Sequence, residues 1–94
     1  MPTAFDWDDG KAASVHSERG IRFEVAIGVF ADPNRIDFED ARSAYGEERR
    51  VVIGTVDRII LTVVYAMRGD VCRIITAWRS SRRERRLYHG EGDS

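Results

Sequence analysis

The chain has 94 residues, 43% of them hydrophobic and 33% charged, with a formal net charge of −1. That size and balance suit one globular domain over residues 1–94 and exclude wholesale disorder. No run approaches the roughly 20 apolar residues of a membrane span, and the acidic start MPTAFDWDDG is unlike a signal peptide, so the expected setting is the cytoplasm, with no membrane partner.

The small net charge conceals a division along the chain. Residues 1–48 hold eleven acids and five bases, net −6, whereas residues 49–94 hold five acids and ten bases, net +5. Every base except Lys11 is an arginine, whose planar fork suits bidentate binding of phosphate or carboxylate. The single cysteine, Cys72, excludes an intramolecular disulfide and a multi-cysteine zinc site; it is expected to be buried and inert.

Phe5 and Trp7 alternate with Asp6 and Asp8 in an extended entry. Asp8 or Asp9 can cap a helix running to about Arg19, and Gly20 fits the left-handed position beyond its end. Phe23, Ala26, Ile27 and Phe30 recur at i, i+3, i+4 and i+7, one apolar stripe of a second helix. Asp32-Pro33 stops it, because the residue before proline disfavours helix. Asn34 to Phe38 suit a short edge strand, and EDARSAYGEE reads as a loop. From Arg49 the pattern becomes β-branched: RRVVIG, IILTVVYAM and VCRIITAW, with turns at Gly54–Asp57 and at Arg68-Gly69-Asp70, predict an antiparallel meander. Strict alternation puts Arg73 on one face with Val71, Ile75 and Ala77. Ser81 with Glu84 is a capping box opening a last helix at about Arg82 and ending before Gly90. Arg82, Arg83, Arg85 and Arg86 share one broad face of it, and Leu87 and Tyr88 lie opposite, to dock on the sheet. That arginine face can track an RNA backbone, meet acidic residues of a partner, or be merely solvated.

The ordered pieces FDWDDGKAA, GIRFEVAIGVFADP, GEERRVVIG and RGDVCRIITAWRSSRRERRLY, from Phe5 to Tyr88, resemble the BrnT family, the toxins of type II BrnT–BrnA toxin–antitoxin systems. The resemblance implies a RelE-like α+β fold: two N-terminal helices, a small antiparallel sheet of three main strands plus a short edge strand, and a C-terminal helix. It implies a ribonuclease toxin that cleaves RNA without metal or cofactor and inhibits translation and growth. It also implies a BrnA-type antitoxin, a heterotetramer of two toxins and two antitoxins, and contact with operator DNA only through the antitoxin. Three departures stand out. Glu18-Arg19-Gly20 replaces a Lys-His-Gly motif, Arg22 replaces the Ser that usually opens the second helix, and Trp78 stands where the family often has Arg. The first raises the alternative of a catalytically weakened homologue that binds its antitoxin or acts as a co-repressor.

Metal-free cleavage needs a base for the 2′-OH, an acid for the leaving oxygen, and cations for the phosphorane. Arg73 and Arg79 are expected to converge on one phosphate, joined by Arg49, with Glu48 beside it as the base. The competing reading makes Glu48 and Arg73 members of ordinary ion pairs. Tyr65 and Tyr88 are candidates for RNA or antitoxin binding and for proton transfer, against a role as packing aromatics. Trp7 and Trp78 can stack on bases or pack in the core. His16 and His89 have no metal-ligand neighbour at fitting spacing, so no metal site is expected.

Overall fold

The computed structural model describes residues 4–41 and 48–90. Chain order is β1 (Ala4–Trp7), α1 (Asp9–Arg19), α2 (Phe23–Ala26) continuing into a 3-10 helix (Ile27–Ala31), β2 (Ile36–Glu39), β3 (Arg50–Val56), β4 (Ile59–Arg68), β5 (Val71–Arg79) and α3 (Arg82–Tyr88). The class is α+β as expected, but the sheet is five-stranded and mixed, in the order β1-β5-β4-β3-β2. The extended entry is a strand in its own right. It pairs parallel to β5, with Phe5 beside Cys72 and Trp7 beside Ile74. The purely antiparallel sheet and the helices-first order are therefore corrected. Most of the loop between β2 and β3, residues 42–47, lies outside the described residues.

Local chemistry sets the boundaries of α1. The Asp8 carboxylate accepts from the Lys11 N–H, and Gly20 adopts φ 70° and donates to the His16 carbonyl, closing both ends. The second helix differs from its predicted form. After one α-turn it tightens to 3-10 geometry, with about three residues per turn. Val29, three residues beyond Ala26, thereby joins Phe23, Ala26 and Phe30 in the core.

The sheet has two unlike faces. Its inner face carries Val52, Leu61, Val63, Tyr65, Cys72, Ile74 and Ala77 against Val15 of α1 and Phe23, Ala26, Val29 and Phe30 of the second helical segment. Its outer face carries the smaller cluster Val51, Ile53 and Val64, onto which Trp78 and Tyr88 pack. The α3 residues turned toward the sheet are the half-buried Glu84 and Tyr88, spaced i, i+4, whereas Leu87 is exposed and does not dock. The capping box at Ser81 and Glu84 is formed, and the Glu84 carboxylate also accepts from Trp78 Nε1 at 3.0 Å. Thus the box that starts α3 also fastens it to β5.

A bulge in β5 has consequences for the site. Tyr65 pairs with Ile74 and Val64 with Thr76, leaving Ile75 as the extra residue. One extra residue inverts the alternation downstream. Ala77 and Arg79 consequently turn to the inner face and Trp78 to the outer. The expectation that Ala77 shares a face with Arg73 fails for this reason.

Gly54 is not a turn residue either. It lies within β3 opposite Leu61, and the hairpin is made by Asp57 and Arg58, both at positive φ, as a two-residue turn with matching twist requires. Gly54 is needed for close approach: a Cβ there would lie 3.0 Å from the Val29 carbonyl oxygen and 3.1 Å from Val29 Cβ. Gly54→Ala is expected to destabilise the protein by about 1–3 kcal/mol, a typical overpacking cost, read as a lowered midpoint in urea unfolding. An unchanged midpoint would show that the second helical segment yields freely.

Candidate active site

Cationic side chains converge on the half of the outer face that α3 does not cover. Arg73, on β5, pairs in register with Ala66 of β4 on one side and Asp6 of β1 on the other. Arg50 pairs with Tyr65, so extending that ladder by one residue sets Arg49 beside Ala66. The Arg49 carbonyl continues the ladder by accepting from the Asp40 N–H at 2.8 Å. Two arginines thus flank a fully buried alanine, whose small side chain leaves room for both guanidiniums above it. Arg68, opposite Val71, lies diagonally next to Arg73 on the same face. Lys11 reaches the same place from the first turn of α1. Asp8, Lys11, Arg49, Arg68, Arg73 and Ile75 line a cleft of ≈ 210 Å³. Asp6 accepts from Arg73 Nη1 at 3.3 Å. Asp6 and Asp8 are thus carboxylates set beside these cations.

The structure therefore brings Arg49 and Arg73 together and separates Arg79 from them. Arg79 is exposed, pairs with Leu61, and lines a different groove on the inner side with Gly20, Arg22 and Val25. The expected convergence of Arg73 and Arg79 on one phosphate is corrected by the β5 bulge. Glu48 does not face the cleft. Its carboxylate is 3.7 Å from Arg50 Nη1 and its side chain is 67% exposed. Arg50 is held more tightly by Asp37, at 2.7 Å. Glu48 is thus in a loose ion pair with Arg50, at the start of β3.

Tyr65 and Tyr88 are both held by packing and hydrogen bonds. Tyr65 is 5% exposed, in the inner core against Phe30, and its hydroxyl donates to Asp37. Burial, together with that bond, pushes its pKa upward. Its surface is almost wholly covered. The Tyr88 hydroxyl donates to Asp32 at 2.6 Å and accepts from Thr55 at 2.9 Å; it fastens α3 to the body. Arg82, Arg83, Arg85 and Arg86 are all exposed, and Arg85 bonds back to the Ser80 carbonyl at 2.7 Å. Among the described residues no three His, Cys, Asp or Glu side chains gather as a metal site, and no helix is long and apolar enough to cross a membrane.

Glu18-Arg19 and Trp78, two of the departures, lie in different places. Arg19 Nη1 donates to Thr76 Oγ1 at 2.9 Å and to the Ala77 carbonyl at 3.0 Å. It covers the stretch of β5 left open where β1 ends at Trp7. Glu18 accepts from Ser14. This pair is at the far end of α1 from Lys11, about 12 Å away at 1.5 Å per residue. Trp78, by contrast, stands on the cleft's own face, with its indole bonded to Glu84.

Cys72 is fully buried, and burial pushes its thiol up to about 12. Because the thiolate is the reactive form, native protein at pH 8 is expected to resist alkylation, and denatured protein to react with one equivalent of iodoacetamide. Rapid native labelling, read by mass spectrometry, would show that the β4–β5 region opens locally.

Three arginines on the sheet, with Lys11 of α1 beside them, thus surround a small central residue. A family model described as "Ribonuclease toxin, BrnT, of type II toxin-antitoxin system" matches residues 7–84. The chain belongs to this BrnT family, and with that to the ribonuclease toxins of type II systems, which are paired with an antitoxin. A search of the curated proteins finds no match.

Proposed function

We propose that the chain is an endoribonuclease that works without metal, with the Lys11–Arg49–Arg68–Arg73 cleft as its phosphate-binding and catalytic site. The observation that carries this reading is the row in which Arg49 and Arg73 flank Ala66, with Arg68 diagonal to it. Guanidiniums fixed on three adjacent strands stabilise charge as it grows on a phosphorane, because they need no reorganisation when it forms. The carboxylates at the cleft are Asp6 and Asp8, and they replace Glu48 as candidates for the proton acceptor. Asp8 already uses one oxygen on the Lys11 N–H, which fixes its orientation. Arg79, in the inner groove with Arg22 and Val25, is reassigned to partner contact. The exposed arginines of α3 serve RNA or antitoxin.

In the cell, the reading is a cytoplasmic toxin that stops translation and growth until a BrnA-type antitoxin covers it, in an assembly of two toxins and two antitoxins. Operator DNA is met through the antitoxin. A second reading is favoured by Trp78: a cation expected on the cleft's face is replaced by an indole, which describes a weakened homologue retained for antitoxin binding or co-repression. Tightly controlled expression, with total RNA and growth followed, separates the two. Growth arrest with RNA degradation supports the nuclease. Unimpaired growth with a folded product that still binds its antitoxin supports the second.

A further inference from the structure

Among the described residues, five large apolar side chains are substantially exposed: Val25, Phe38, Ile59, Met67 and Leu87. Single exposed apolar residues are ordinary, but Phe38 differs from the other four in kind and in position. It is the aromatic one. On β2 it pairs with Val51 and shares the outer face with Ile36, which packs on the Val51–Ile53–Val64 cluster. Val25 and Ile59 line the inner groove, and Met67 pairs with the inner-face Cys72. Leu87 is on α3.

Among the described residues, Phe38 is therefore the exposed aromatic of the cationic face. The ladder makes it a diagonal neighbour of Arg49: Phe38 faces Val51, and Arg49 lies two residues before Val51 on the same face. Diagonal neighbours on one face have Cα atoms about 7–8 Å apart, which is within reach of a single nucleotide. The acid on this edge and face, Asp40, stands opposite Arg49 and is 8% exposed, so it does not cover the ring. The ring is 41% exposed, and its attachment to a paired strand fixes its direction. Cations that hold a backbone beside an aromatic that can hold a base are the two parts of a single-stranded nucleic-acid platform.

We propose that Phe38 stacks on an unpaired base of the RNA whose backbone phosphate lies over the Arg49–Arg73 row. The proposal rests on the cleft being the RNA site and adds the substrate class: single-stranded RNA, gripped by phosphate and base together. Stacking tolerates any base because each has a π-face, so Phe38 supplies affinity and register and leaves sequence choice to other groups.

Two uncleavable fluorescent probes test it: a 2′-O-methyl RNA decamer, and a sugar–phosphate decamer of equal charge without bases. Their binding to purified protein is followed by anisotropy. Phe38→Ala is expected to weaken the base-bearing decamer roughly tenfold, the usual scale for losing one stack, and to leave the abasic decamer unchanged. Phe38→Trp, which keeps an aromatic face and guards against a folding defect in the alanine variant, is expected to bind both probes as the parent does. Arg73→Ala should weaken both probes and lower the salt dependence by about one counterion. Equal weakening of both probes by Phe38→Ala overturns the stacking role, as does no weakening of either. In the second case, lost antitoxin affinity would reassign Phe38 to the protein interface. If Arg73→Ala also leaves both probes unaffected, the cleft itself is not the RNA site and the proposed function falls with it.

Discussion

Arg73→Ala is expected to lower RNA cleavage by about 10²–10³-fold while leaving the protein folded, and Arg49→Ala to act similarly. The magnitude is the usual loss when one preorganised donor to a transition-state oxyanion is removed. Arg73 is placed for that work by a paired strand on each side and by Asp6, so its guanidinium is oriented before substrate arrives. Folding should survive, because the side chain is 29% exposed and makes one ion pair at 3.3 Å, worth less than about 1 kcal/mol at a surface. Arg79→Ala is the internal control. It lies on the other face, and its removal should leave cleavage of naked RNA within about twofold, far below the scale of a lost oxyanion donor. Gel assays on a defined single-stranded RNA, with circular dichroism melts in parallel, read all three. Strong loss at Arg79 with none at Arg73 would move the active site to the inner groove.

That contrast between Arg73 and Arg79 also shows where the sequence stopped being legible. Caps, turns and periodicity are local, and α1, the capping box of α3 and the three long strands could be read from Asp8, Gly20, Ser81 and Glu84 and from the β-branched runs. The pairing of β1 with β5 joins residues nearly seventy positions apart, and nothing in the alternation of Phe5 and Trp7 names its partner. The bulge at Ile75 depends on how β5 meets Tyr65 across the strand. Uninterrupted alternation puts Arg79 with Arg73, and one extra residue puts it on the opposite face. Arg68 could have been found. A two-residue turn at Gly69-Asp70 requires Arg68 to face Val71, one diagonal step from Arg73. Lys11 could not, because its place depends on how α1 lies over the end of β1. Gly54 misled because glycine serves close packing as readily as turns.

Asp32→Ala is expected to be the most damaging of the polar substitutions, at roughly 2–4 kcal/mol, because one carboxylate ties three segments together. Its oxygens accept from the Asn34 N–H at 2.9 Å, from the Thr55 N–H at 2.8 Å and from the Tyr88 hydroxyl at 2.6 Å. The first forms the turn after the 3-10 helix, the second ties that turn to β3, and the third holds α3. A hydrogen bond to a charged group contributes about 1.5–3 kcal/mol, and the loss here also strands the Thr55 donor in a half-buried place. Burial pulls the Asp32 pKa up, but the bonds from Tyr88, Asn34 and Thr55 outweigh it and hold the carboxyl below its ordinary 3.8. The sign follows from linkage: with the folded value below the unfolded one, the unfolded state binds the extra proton as pH falls. The stabilisation is complete above about pH 5 and drains away as pH falls through 3.8 toward the folded value. Urea melts at pH 7 and pH 3.5 should therefore show a smaller gap between parent and Asp32→Ala at the lower pH. Tyr88→Phe removes one of the three bonds, together with the bond that Tyr88 accepts from Thr55, and should keep most of the stability that Asp32→Ala loses, with α3 loosened in hydrogen exchange. A gap that is equal at both pH values would mean that Asp32 acts through the shape of its turn and not through its charge.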